Sequence, residues 1–136
     1  MPKKRHEIEK GFSLSELLLA AAILVPISCV ILYSFITCSF LNESNRNSVH
    51  ATNHVQYIME EIKNTDFNEI KSRIESGYWD WNSETITSKG LTPLNNESID
   101  TQVTGSELLD IVVMVNWKDR GKNYRSLSIE TLRVKP

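Results

Sequence analysis

From Leu17 to Leu41 the chain runs 25 residues without a formal charge, while all 32 of its Asp, Glu, Lys and Arg side chains lie elsewhere. As a helix rising about 1.5 Å per residue, that segment would extend about 37 Å, past the roughly 30 Å of a bilayer's hydrocarbon. It is also longer than the about 7 to 15 apolar residues of a removable secretory signal. The expectation is a single membrane-spanning helix, and the 136 residues of the chain leave room beyond it for one small domain.

Charge sets the orientation. Residues 1–11 carry Lys3, Lys4, Arg5 and Lys10 against Glu7 and Glu9, net +2, which by the positive-inside bias holds the N-terminus in the cytoplasm and sends Asn42 onward outside. The rest of the chain has 11 basic and 15 acidic side chains, net −4. No basic stripe is present to hold a phosphate backbone, so a nucleic-acid partner is not expected. Cys29 and Cys38 both fall within the apolar segment. Nine helical residues set them about 13 Å and half a turn apart, so they cannot bond within one helix and read as small apolar side chains.

Glu16 stands between Phe12-Ser13-Leu14-Ser15 and Leu17-Leu18-Leu19. A charge fully inside the bilayer costs about 3 kcal/mol, so a carboxylate at this border suggests a partner, unless it is solvated among the headgroups. Lys10-Gly11-Phe12-Ser13-Leu14-Ser15-Glu16, followed by the apolar run, resembles the class III signal of the type IV prepilin family, which includes the pseudopilins of type II secretion systems. In that pattern Gly precedes the cut, Phe follows it, and Glu is the fifth mature residue.

The resemblance implies cleavage between Gly11 and Phe12 by prepilin peptidase, a membrane aspartic protease, and methylation of the new Phe12 amine. Gly11 suits such a site because a backbone without Cβ can lie close to a cleft wall. Glu16 would pair with the Phe12 amine of a neighbouring subunit during assembly, an attraction that low dielectric strengthens. Other pilin or pseudopilin subunits, the inner-membrane assembly platform and the bilayer are the implied partners. The implied role is structural rather than enzymatic, with no cofactor and no metal. The location would be the bacterial inner membrane and then a pilus or pseudopilus. The alternative is an uncleaved, membrane-anchored exported binding module.

Beyond Leu41, Val49, Val55, Ile58, Met59 and Ile62 keep helical spacing, with Thr52 on the same stripe, so the helix should continue to about Thr65. Pro26 removes one helical N–H and crowds the Ala22 carbonyl, which predicts a kink or local melting between them. Met59 through Phe67 is similar to the helix end of minor pilins and pseudopilins.

The expected fold is α+β and pilin-like. Its parts are a leader at 1–11, a transmembrane and assembly helix at 12–41, an amphipathic continuation at 42–65 and a small β-rich exported domain at 66–136, packed as an antiparallel sheet on the helix. Ile70 to Ile74 reads as a short helical turn. Thr85–Thr87 and Ile99–Val103 read as short strands, with Gly90, Pro93 and Asn95-Asn96 as turns. Leu108–Lys118 alternates most clearly, placing Leu109, Ile111, Val113, Val115 and Trp117 on one face. A turn at 119–123 leads to a strand at Ser126–Val134, closing a hairpin similar to the terminal strands of minor pilins.

Other clusters read plainly. His50 and His54 are four apart, but two ligands are too few for a metal, so they read as a solvated helix face. Glu60 and Glu61 point in different directions from a helix and read as solvated surface. Tyr78, Trp79 and Trp81 could form a sugar platform, but alternating aromatics more often pack a small core. No phosphate loop or nucleophile with a base is recognisable.

Overall fold

A computed structural model describes residues 13–120 and 123–135, so the leader and part of the expected hairpin turn lie outside the described residues. The chain runs α1 (Leu14–Asn64), α2 (Phe67–Glu75), β1 (Trp81–Asn82), α3 (Ser83–Ser88), β2 (Ser98–Thr104), β3 (Leu108–Lys118) and β4 (Tyr124–Val134). The layout is α+β. The chain divides after Ser39 into two units.

In the first unit α1 is apolar and exposed throughout, with Leu17, Leu18, Leu19, Ile23 and Leu24 all more than half accessible. Among the described residues this is the one helix long and apolar enough to cross a membrane. Helical structure runs unbroken through Pro26, so the expected local melting between Ala22 and Pro26 does not occur. The hydroxyls of Ser28, Ser34 and Thr37 donate to the carbonyls four residues earlier, Leu24, Val30 and Tyr33, at 2.9 to 3.0 Å. Polar atoms satisfied within the helix are compatible with surroundings that offer no water.

In the second unit α1 buries Ala51, His54, Val55, Ile58, Met59 and Ile62. Val49, expected on this stripe, is 59 % exposed. It lies nine residues before Ile58, which at 100° per residue puts it on the opposite side of the helix. The buried stripe forms one core with Ile70 and Ile74 of α2, Trp79, Trp81, Ile86, Leu94, Ile99 and the inward residues of β3. Burying an indole fully removes about 150–250 Å² from water, about 4–6 kcal/mol at about 25 cal/mol per Å², so Trp79 and Trp81 are principal members of it.

Thr85–Thr87, expected as a strand, is helical in α3. The Asn82 side chain accepts from Thr85 N–H at 2.9 Å, which caps the helix start, and Gly90 at φ +77° ends it. Gly90 N–H donates to Thr87 O and Leu91 N–H to Ile86 O, the paired bonds of a glycine helix stop. Local capping overrides the strand preference of the Thr-Ile-Thr triplet.

The sheet has four antiparallel strands in the order β1-β2-β3-β4. In β3 the expected alternation appears, with Leu109, Ile111, Val113, Val115 and Trp117 buried. The hairpin pairs Leu108 with Val134 through to Lys118 with Tyr124, so β4 starts two residues earlier than its pattern suggests. At the opposite side β1 pairs only Trp81 and Asn82 with β2, and beyond it Asp80 Oδ1 accepts from Thr101 N–H at 2.9 Å.

Candidate functional site

Of the site residues read from the sequence, Gly11 and Phe12 lie outside the described residues, and Glu16 lies in the first turn of α1. Ser13 N–H donates to Glu16 Oε2 at 2.9 Å, and Glu16 N–H donates to Ser13 Oγ at 3.3 Å. This is a reciprocal capping box, which satisfies two helix donors that would otherwise lack partners and is worth about 1 kcal/mol. The Ser-x-x-Glu spacing is its sequence signature. The box uses Oε2 alone, and its carboxylate is an anion at the positive end of the helix dipole.

Asp119, at the end of β3, gathers four side chains. It accepts from Ser44 Oγ at 2.9 Å, Asn47 Nδ2 at 2.8 Å and Trp117 Nε1 at 3.2 Å, and Arg125 Nε stands 3.4 Å away. Burial pushes its carboxyl up, but the three hydrogen bonds and the Arg125 charge outweigh that and hold it below the usual aspartate range. Asp119 therefore fastens the hairpin to the Ser44–Asn47 turn of α1. The sequence pattern places Asp119 only in a turn.

The solvated reading of His54 is incorrect. His54 is 1 % exposed, and its Nδ1 lies 2.7 Å from Glu97 Oε1. Glu97, also buried, accepts from Leu94 N–H through Oε2 at 2.6 Å. The pair joins α1 to the turn before β2. His50 is half-buried and belongs to neither contact. Among the described residues no group of three or more His, Cys, Asp or Glu could hold a metal ion.

Glu61 is likewise more than solvated surface, since its Oε2 accepts from Trp79 Nε1 at 2.9 Å and its Oε1 from Lys89 Nζ at 3.2 Å. Lys89 Nζ also sits 4.5 Å from the Trp81 ring centre and 5.5 Å from that of Tyr57. Trp79 and Trp81 are core residues, which leaves Tyr78 as the exposed aromatic of that run. An open cleft of about 390 Å³ beside it is lined by Tyr57, Glu60, Asn64, Arg73 and Tyr78. Arg73 already pairs with Glu69 at 2.8 Å and lies over the Tyr78 ring at 5.4 Å. Arg73 is thus engaged by Glu69 and Tyr78, and it is Glu61, through Trp79 and Lys89, that braces the end of α1.

No family model, curated protein or solved structure matches the chain.

Proposed function

We propose that the chain is a minor pilin or pseudopilin subunit, cut after Gly11, methylated on Phe12 and assembled into a type IV pilus or a type II secretion pseudopilus. The supporting observation is the placement of Glu16. It is the fifth residue beyond Gly11, it sits in the first turn of α1, and the following 25 residues bear no charge. Its carboxylate is available at the border of an apolar helix to meet a neighbour's amine, and the leader's positive charge orients the helix for export of the second unit. The role is structural, performed at the inner membrane by contact with prepilin peptidase, the assembly platform and other subunits. Mass spectrometry of the N-terminal peptide of the membrane-bound protein tests this. A methylated Phe12 terminus is expected, and an unmethylated or uncut terminus rejects it.

The capping box favours one other reading, a membrane-anchored exported binding module that keeps its leader. In that protein Glu16 has its work within its own chain, closing the helix start with Ser13. The same measurement then finds residues 1–11 intact.

A further inference from the structure

The β3–β4 hairpin ends where α1 leaves its apolar run. Phe40 and Leu41 close that run and already belong to the second unit. Ser44 and Asn47, just beyond them, donate to Asp119 at 2.9 and 2.8 Å, and Arg120 Nη1 lies 3.2 Å from Glu43 Oε2. These contacts pin the hairpin end beside residues 43–47, about 3–9 Å past Leu41 at about 1.5 Å per residue. An apolar run longer than the hydrocarbon tilts until it is immersed, and the headgroup layer beyond is about 5–8 Å deep. Where α1 spans a bilayer, the hairpin end therefore stands at headgroup depth.

Its charge suits that depth. Residues 118–125 hold four of the 11 basic side chains beyond Leu41 and one of the 14 acidic ones, so this stretch is net +3 while the rest of that part is net −6. The one acid, Asp119, is engaged by Ser44, Asn47 and Trp117. The side chains of Arg120 and Arg125 are 73 % and 56 % exposed, so each guanidinium keeps N–H groups toward solvent beside its one pairing. Arg46 is exposed on α1 at the same level. Tyr124 is 76 % exposed, with Lys118 Nζ 5.6 Å from its ring centre, and such amphipathic rings favour membrane–water borders. We propose that this hairpin end docks on the membrane that α1 crosses, with its arginines on the phosphates of anionic phospholipid headgroups and Tyr124 at the interface. Cations this close to anionic lipid are drawn to it, and the guanidinium fork matches phosphate geometry. A nucleic acid would have to displace headgroups to reach the same cations. The inference rests on α1 spanning the membrane and is independent of processing at Gly11.

The test uses the full-length protein reconstituted in vesicles of phosphatidylcholine with a minor share of phosphatidylglycerol. A photo-crosslinking amino acid replaces Asn123, and its lipid adducts are identified by mass spectrometry. Phosphatidylglycerol is expected at least about threefold over its share, an excess that high salt removes. The same probe at Ser106, beyond the opposite end of β3 and more than about 30 Å away, should capture no lipid. Arg46→Gln combined with Arg120→Gln should lower the excess at least about twofold, whereas Arg120→Lys should keep it. Ser106 should stay free of lipid in the double variant, which separates lost docking from lost folding. Adducts at Asn123 that match the bulk lipid composition, equal capture at Ser106, or transfer of the label to added duplex DNA would overturn the proposal. A chain that does not float with the vesicles would reject the spanning helix along with it.

Discussion

Arg133 Nη1 donates to the carbonyl of Ile62 at 2.6 Å, tying the last strand to the last turn of the long helix. The same nitrogen lies 3.1 Å from Lys63 O and 3.2 Å from Thr65 O, so one cation serves three carbonyls at the negative end of α1. Arg133→Ala should destabilise the second unit by about 1.5–3 kcal/mol, the range for hydrogen bonds to a charged group. Chemical denaturation of the detergent-solubilised protein measures it, and an unchanged midpoint contradicts the role given to Arg133.

Asp119 makes stability depend on pH in a defined window. Because its folded pKa lies below the ordinary value, its contribution is present above about pH 4 and is lost as pH falls further through the folded value. Asp119→Asn should therefore cost about 1–3 kcal/mol at pH 7 and progressively less below about pH 4. Unfolding midpoints of both proteins from pH 7 to pH 2.5 check this. A constant difference across the range rejects it.

Gly105 turns the chain between β2 and β3 at φ +93°, and an added Cβ would run into the Leu108 carbonyl. Gly105→Ala should cost about 2 kcal/mol or more, since both the backbone conformation and the space oppose a side chain. Thermal unfolding monitored by circular dichroism reads the loss. A variant as stable as the parent would show that the turn rearranges freely.

Two substitutions at Glu16 separate capping from assembly. Glu16→Gln keeps an oxygen that can accept from Ser13 N–H but removes the charge, whereas Glu16→Leu removes both. If the carboxylate pairs with an amine, both variants should insert in the membrane and both should fall at least about tenfold in the sheared filament fraction, because a desolvated amine left without its partner is costly. If it only caps the helix, Glu16→Gln should behave as the parent does. Immunoblots of filament and membrane fractions distinguish the outcomes.

The parts legible in the sequence are those governed by period. β3 appears at the expected Leu108–Lys118, and the buried stripe from Val55 to Ile62 follows its spacing. What escaped reading depends on groups meeting across the fold. His54 and Glu97 are 43 residues apart, and Asp119 binds Ser44 and Asn47 from 75 and 72 residues away. No local pattern marks such partners. The two local misses, the Ser13–Glu16 box and the Asn82 cap of α3, were within reach, because each is a polar residue three positions from the group it binds. For the proposed cleavage, only the resemblance to a family points to Gly11 and Phe12, which lie outside the described residues.

The bond from Thr101 to Asp80 gives the sheet a direction. On the β2 side a carboxylate occupies an N–H that an incoming strand would need, and β1 takes the positions before it. On the other side β4 offers eleven residues of backbone with no neighbouring strand among the described residues. Extension by a foreign strand is thus asymmetric: one margin is closed by the chain's own side chain and the other remains a template. A polypeptide that lengthens this sheet must enter beside β4, and its register will be set against Tyr124–Val134.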